Sequence, residues 1–303
     1  MEMVFVVLFM LWKIISREKS EFLFIWVNKM ILSQKLPILL IDTSYFIFYR
    51  YYSSLKWYQF KNKEINYETI DQDDVFMTAF FKHILDDFKK LCKKWKTNMS
   101  QMVFCCDCSR DKIWRNQFTD AYKQTRVANA TFNSQIFFRF YQYLEEHQSE
   151  WKINMVTQDK LEADDIAYLM KQLLLKHHFT NDIVIITNDN DYLQLLDPQT
   201  KLINLNPKNN DLSLRSCGDP QKDLKIKLIM GDKVDNIKAI HPGIGQKVAA
   251  KLASLSEEDF EKYMLAKNCK DNYEKNKKII AFSEIPKDLQ DIFFTTYSIS
   301  WNE

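Results

Sequence analysis

Three short stretches of this chain share a design that few folds can accommodate. "LPILLID" (Leu36–Asp42), "MVFCCD" (Met102–Asp107) and "DIVIITNDND" (Asp182–Asp191) are each a nearly continuous apolar run, rich in β-formers, that ends in aspartate. A run without polar alternation belongs to a strand buried on both faces, as in a parallel sheet covered by helices. The segments between carry helical spacing. In "VFMTAFFKHILDDFKKLCKKW" the apolar stripe is Val75, Ala79, Phe80, His83, Ile84, Phe88 and Leu91, and in "LEADDIAYLMKQLLLKHH" it is Ile166, Leu169, Met170 and Leu173. Strand, helix, strand, helix predicts an α/β domain with a doubly wound, mostly parallel sheet. Ligands of such sheets sit outside the carboxyl ends of the strands, so Asp42, Asp107 and Asp189 are expected at one edge.

One aspartate after a strand is ordinarily a helix cap or a turn residue. Three strands ending alike, with more acids nearby, ask for another account. Glu162, Asp164 and Asp165 crowd a helix start, Asp191 follows Asp189 by two, and Asp232 and Asp235 lie further on. If these nine carboxylates converge, repulsion raises some pKa values or cations neutralise them. Clustered oxygens without histidine or thiolate suit hard ions, Mg²⁺ or Mn²⁺. Glu162 and Asp165 share a helical face while Asp164 points away, so all three serve one site only if Glu162 precedes the first full turn.

The stretch "GDKVDNIKAIHPGIGQKVAAKL" holds three of the four glycines of the chain, Gly231, Gly243 and Gly245. Pro-Gly-x-Gly followed by an amphipathic segment predicts a hairpin between helices, with the free N–H groups after Gly245 and the charges of Lys247 and Lys251 beside it. Such a terminus grips phosphates and reads no bases. The alternative is a plain connection with solvated lysines.

Composition sets bounds. The 303 residues are 46 % hydrophobic, enough for a sizeable core, and a net charge of +2 leaves any nucleic-acid contact to local clusters. Six cysteines without framework spacing, three of them at Cys105, Cys106 and Cys108, indicate a reducing, intracellular setting, and five scattered histidines argue against a zinc site. "VFVVLFMLW" near the start is too short to span a bilayer. Residues 1–29 are expected to be a dispensable apolar extension without stable membrane association, followed by an α/β domain over 30–218 and an all-helical helix–hairpin–helix domain over 219–303.

The pieces "LLIDTSY", "FCCDCSRDKIWRNQFTDAYKQTR", "LEADDIA", "ITNDNDYLQLL" and "GDKVDNIKAIHPGIGQKVAAKL", in this order from Leu36 to Trp301, resemble the flap endonuclease / 5′-3′ exonuclease superfamily, closest to its phage and viral ribonuclease H branch. The resemblance implies a two-metal phosphodiesterase with two Mg²⁺ ions, Mn²⁺ substituting, about 4 Å apart. Asp42, Asp107, Glu162, Asp164 and Asp165 are implied around the first ion, and Asp189, Asp191, Asp232 and Asp235 around the second. Lys123 and Arg126, three apart on an expected helical face of "AYKQTR", match the family's basic pair at the active-site gateway. Arg115 is expected on DNA, Tyr122 against an unpaired base, and Gly243, Gly245, Lys247 and Lys251 on duplex phosphates. The implied substrate is duplex DNA with a 5′ flap, or an RNA–DNA hybrid, handled by a monomer during replication or repair.

Departures accompany the match. Thr43 and Cys108 stand where glycine is common, and Lys238 and Ala239 replace a usual Pro-Gly, with one extra residue before Pro242, which bears on the hairpin's entry. "QDIFFTTY" (Gln290–Tyr297) partly fits a sliding-clamp peptide but reads better as a core helix face. "YFIFYRYYSSLKWY" is expected to be core, with Tyr45 or Arg50 as exceptions near the site. Competing readings are a PIN-type endoribonuclease, whose acid-edged sheet needs no Gly-x-Gly grip, and a catalytically silent DNA-binding scaffold.

Overall fold

The computed structural model describes residues 36–297 apart from 61, 63, 120–121, 124–128, 207 and 209. The expectations for residues 1–29 and for Arg126 fall outside the described residues. In chain order the α/β part comprises β1 (Ile38–Asp42), α1 (Thr43–Gln59), α2 (Asp74–Trp95), β2 (Met102–Cys105), α3 (Gln135–Trp151), β3 (Asn154–Val156), α4 (Ala163–Lys176), β4 (Ile183–Ile186) and β5 (Thr200–Ile203). The sheet runs β3-β2-β1-β4-β5 and every pairing is parallel. The chain winds outward from β1 through β2 to β3, then returns to the other side of β1 as β4. The reversal opens a crevice between the carboxyl ends of β1 and β4, where a doubly wound sheet binds its ligands.

Both faces of the sheet are covered. Ile38, Leu40, Val103, Cys105, Ile183 and Ile185 pack with Ile166, Leu169, Met170 and Leu173 of α4. On the opposite face, Leu39, Ile41, Met102, Phe104, Val184 and Ile186 meet α1, α2 and α3. Each such aliphatic or aromatic side chain contributes about 1.5–3 kcal/mol by leaving water, which is why these strands read as unbroken apolar runs. The stripe of α2 is rotated from the expected one: Val75 is 63 % exposed, and Phe76, Phe80, Ile84, Phe88 and Leu91 are buried. Asp73 caps this helix, accepting from Phe76 N at 2.8 Å, and so leaves Val75 in an outward-facing first turn. On α1, Phe46 and Tyr51 are core, and Arg50 pairs with Asp87 of α2, away from the sheet edge. Tyr45 accepts a hydrogen bond from Leu205 N at 2.8 Å.

Beyond the sheet come α5 (Pro220–Met230), α6 (Gln246–Ala253), α7 (Glu257–Ala266), α8 (Lys270–Ile280) and α9 (Lys287–Tyr297). Ile226, Ile229, Ile240, Ala249, Leu252, Phe260 and Met264 form a separate core among α5–α7. The last helix leaves it. Phe282, Ile285, Leu289, Phe293 and Tyr297 join the core beneath the sheet beside α4. The all-helical segment expected over 219–303 is therefore divided, because the apolar face of α9 finds its partners in α4. That same burial accounts for the aromatics of "QDIFFTTY". Among the described residues, no helix is long and apolar enough to cross a membrane.

Candidate active site

The aspartates that end the strands accept backbone N–H groups at the starts of helical turns, and those bonds aim them into the crevice. Asp42 Oδ1 accepts from Tyr45 N at 3.0 Å, capping α1, while Oδ2 accepts from Thr187 Oγ1 at 2.9 Å. Thr187, fully buried after β4, also accepts from Asp189 N at 3.1 Å and so ties the ends of β1 and β4 together. Asp189 Oδ1 accepts from Asp191 N at 2.9 Å at the start of a 3₁₀ turn. Asp107 accepts from Ala163 N at 2.8 Å, at the opening of α4, and from the Ser44 hydroxyl. Cap and site are thus one arrangement.

Crowding shows in the electrostatics. Burial, then the charge of Asp107, with a smaller push from Asp189, raises the pKa of Asp42 to about 7. Asp107 reaches the rim, yet surrounding protein raises its pKa as well. Burial pushes Asp164 well above the usual carboxylate range, and Asp165 and Glu162 push the same way. Among the described residues, no Lys, Arg or His forms an ion pair with Asp42, Asp107 or Asp189.

The start of α4 is built differently. Glu162 is the N-cap, with extended backbone, so it precedes the first turn and shares the site with Asp164. Asp165 completes the cap by accepting from Glu162 N at 3.1 Å. Its carboxylate, fully buried, also takes both terminal nitrogens of Arg115 at 2.7 Å and Trp114 Nε1 at 2.9 Å. Those bonds commit Asp165 to Arg115 and Trp114, although one of its oxygens still lies within 4.8 Å of oxygens of Glu162 and Asp164. Arg115, expected on DNA, is turned inward as well. Only 2 % exposed, it donates to Asp165, to Glu162 at 2.9 Å and through Nε to Ile279 O of α8 at 2.7 Å, so its guanidinium is engaged within the protein and not at its surface. Tyr122 is buried and its hydroxyl donates to Glu162 Oε2 at 2.9 Å, so it presents no ring to an unpaired base. Burial raises the pKa of Glu162, but Lys123 and Arg115 outweigh it and hold the group below its ordinary value.

Lys123 is not on a helix. Its φ of +54° places it in a left-handed turn, because its N–H donates to Asp235 O at 3.2 Å and its ammonium turns in to Glu162 and, at 3.8 Å, to Asp235. The expected helical face shared with Arg126 is thus absent at Lys123. Asp191, Asp232 and Asp235 bring oxygens within 4.8 Å of one another. Lys227 of α5 inserts there, pairing with Asp191 and, at 2.9 Å, with Asp232 Oδ2. Burial raises the pKa of Asp232, but the Lys227 charge prevails and the group lies below its usual range.

The hairpin follows. Gly231 ends α5 at φ +69°, and a Cβ there would lie 2.5 Å from the Ile237 and Lys238 backbone, so only glycine fits. The entry without Pro-Gly is held by side chains instead: Asn276 donates to Leu228 O and Lys238 O at 2.8 and 2.9 Å, and Asn272 to Ile240 O at 2.8 Å. Gly243, at φ +84°, turns the chain, and Gly245 is the N-cap of α6, with Lys247 and Lys251 exposed. A cavity of about 820 Å³ joins Asp191 and Asp232 to Gly245 and Gln246.

The sequence profile of the 5′-3′ exonuclease N-terminal, resolvase-like domain matches residues 37–220. The chain belongs to the 5′-3′ exonuclease family. A 5′-3′ exonuclease of Mycoplasmopsis pulmonis (strain UAB CTIP) is 27 % identical over 225 residues, 73 % of this chain and 67 % of that protein. Among solved structures, a bacteriophage T5 flap endonuclease in a pseudo-enzyme–product complex with DNA and metal ions aligns with a TM-score of 0.57 at 16 % identity, covering 86 % of this chain and 97 % of that one. T5 5′-exonuclease with bound zinc aligns with a TM-score of 0.56 at the same identity, 16 %. Those likenesses establish the fold, in which this family member carries its acids on the carboxyl edge of the sheet.

Four participants escaped the sequence reading. Thr187, Ser44 and Trp114 are single polar or aromatic residues without a spacing signal. Lys227 is one charge in a helix with polar residues all round, and only its position one turn before Gly231 and Asp232 hints at its target.

Proposed function

We propose that this chain is a divalent-metal-dependent, structure-specific 5′ nuclease that hydrolyses phosphodiester bonds at 5′ flaps or RNA–DNA junctions. The observation that carries the proposal is the set Asp42, Asp107 and Asp189, three carboxylates in the switch-point crevice with no basic partner among the described residues, the first with a pKa of about 7. Crowded acids of this kind fit a hard cation, whose charge would relieve their repulsion. Asp42, Asp107 and Asp164, with Glu162 beside them, would hold one ion, and Asp189, Asp191, Asp232 and Asp235 the other; Mg²⁺ is the proposed ion, with Mn²⁺ as its substitute. When bound, such ions supply a water nucleophile at neutral pH and stabilise the leaving oxygen.

The chain's own residues do the rest. Thr187 and Ser44 orient the carboxylates of Asp42 and Asp107. Arg115 fixes the start of α4 and joins it to α8, so the acid edge and the helical segment share one rigid link. Lys123, 14 % exposed at the rim, holds positive charge where a phosphate would enter. The N–H groups after Gly245, with Lys247 and Lys251, would hold duplex phosphates without reading bases. The test uses a 5′-labelled DNA flap, an RNA–DNA hybrid and a blunt duplex, each with Mg²⁺, with EDTA and with Asp189→Asn. Short 5′ products from flap or hybrid, lost in both controls, are expected; cleavage that survives both, or none on any substrate, overturns the proposal.

A further inference from the structure

Lys227 sits inside a carboxylate cluster proposed above to hold an ion. Its ammonium pairs with Asp191 and with Asp232, two of the three acids whose oxygens lie within 4.8 Å of one another. The geometry points to a tethered counter-ion: we propose that the Lys227 ammonium fills the second cation seat in the metal-free protein and that a divalent ion must displace it. An ammonium carries three donors and a positive charge, so it can satisfy the same carboxylate oxygens. It also repels a divalent cation at the same carboxylates, and the two do not share the seat.

The stem of the side chain determines where the displaced charge goes. Lys227 is anchored in the last turn of α5, whose end is fixed by the Gly231 N–H donating to Lys227 O at 2.8 Å. Four rotatable methylenes let Nζ swing while Cα stays in place. The side chain is 17 % exposed, and the open side is the cavity of about 820 Å³ that runs to Gly245 and Gln246. Phosphate oxygens lying along that cavity toward the hairpin would accept the ammonium. Loading of the second ion and binding of a phosphodiester backbone then favour each other, since each removes a cost of the other. Without nucleic acid the second ion binds weakly.

This inference rests on the metal-dependent reading, and its test separates the two. The probe is Mn²⁺ titrated into the full chain by calorimetry without DNA, for the wild type and for Lys227→Met, which keeps the length and removes the charge. The second Mn²⁺ is expected to bind at least tenfold tighter to the variant. A second measurement needs no variant: lysine acylation mapped by mass spectrometry should show Lys227 protected in EDTA and labelled at saturating Mn²⁺. Equal second-ion affinity in the two proteins, or protection of Lys227 that persists at saturation, overturns the proposal and leaves the nuclease reading standing. Absence of Mn²⁺ binding in both proteins overturns both.

Discussion

The carboxyl edge of the sheet has two halves built on opposite electrostatic plans. At the start of α4, Glu162 and Asp165 are buried and matched by Arg115, Lys123, Trp114 and Tyr122. At the ends of β1, β2 and β4, Asp42, Asp107 and Asp189 receive only neutral donors: hydroxyls and backbone N–H groups. A buried carboxylate with a fitted guanidinium is scaffold, whose removal leaves an uncompensated charge. Carboxylates crowded together with only neutral donors keep their mutual repulsion and await a cation. Residue type does not distinguish the halves; the partner does.

The comparison breaks most visibly in activity. Asp42→Asn is expected to lower metal-dependent cleavage on the order of ten-thousandfold, about 5 kcal/mol of barrier, while the metal-free variant unfolds at the same or a higher denaturant concentration than the wild type. A parallel loss of stability would place Asp42 with the scaffold. Arg115→Met is the converse. Leaving Asp165 and Glu162 buried without their guanidinium should cost about 3–5 kcal/mol of unfolding free energy in urea, where a change under about 1 kcal/mol would deny the staple.

How far the sequence carried depended on how local each signal was. Continuous apolar runs ending in aspartate were readable because two-sided burial removes polar alternation, and β1, β2 and β4 lie within them. β3 and β5 were not readable: Asn154–Val156 is three residues long and opens on a polar one, and Lys201 interrupts Thr200–Ile203. The acids were found because several lie close in sequence. Their partners were misjudged, since nothing local says that Arg115 turns inward to Asp165 or that Lys123 adopts φ +54° to reach Glu162 and Asp235. Pairings between residues 39 or more positions apart are tertiary facts.

A smaller effect is expected in pH dependence. With a folded pKa of about 7 for Asp42 against an ordinary 3.8, the metal-free folded state holds a proton that the unfolded chain has released between those values. Its contribution to stability is therefore full at the acid end of that window and declines as pH rises through 7, by at most about 1.4 kcal/mol per pH unit. Glu162 and Asp232, held below their ordinary values, act with the opposite sign and only at more acid pH. The difference between wild type and Asp42→Asn in urea series at pH 5 to 8 isolates the first contribution; saturating Mg²⁺ should abolish it, and a wild-type slope shared by the variant would assign it elsewhere. Smallest is the hairpin. Lys247→Ala and Lys251→Ala should each lower the slope of log affinity against log salt for duplex DNA by about 0.9, and an unchanged slope would remove these lysines from the phosphate contacts.

The most direct test of the division between the halves is a Mn²⁺ titration of metal-free Asp107→Asn beside Arg115→Lys, with ions counted by calorimetry. An Asp107→Asn protein that loses an ion while melting at or above the wild-type temperature in EDTA, beside an Arg115→Lys protein that keeps the ions but melts lower, is the predicted result. Full wild-type Mn²⁺ stoichiometry and affinity in Asp107→Asn would contradict it, and would move the cation seat away from the strand ends.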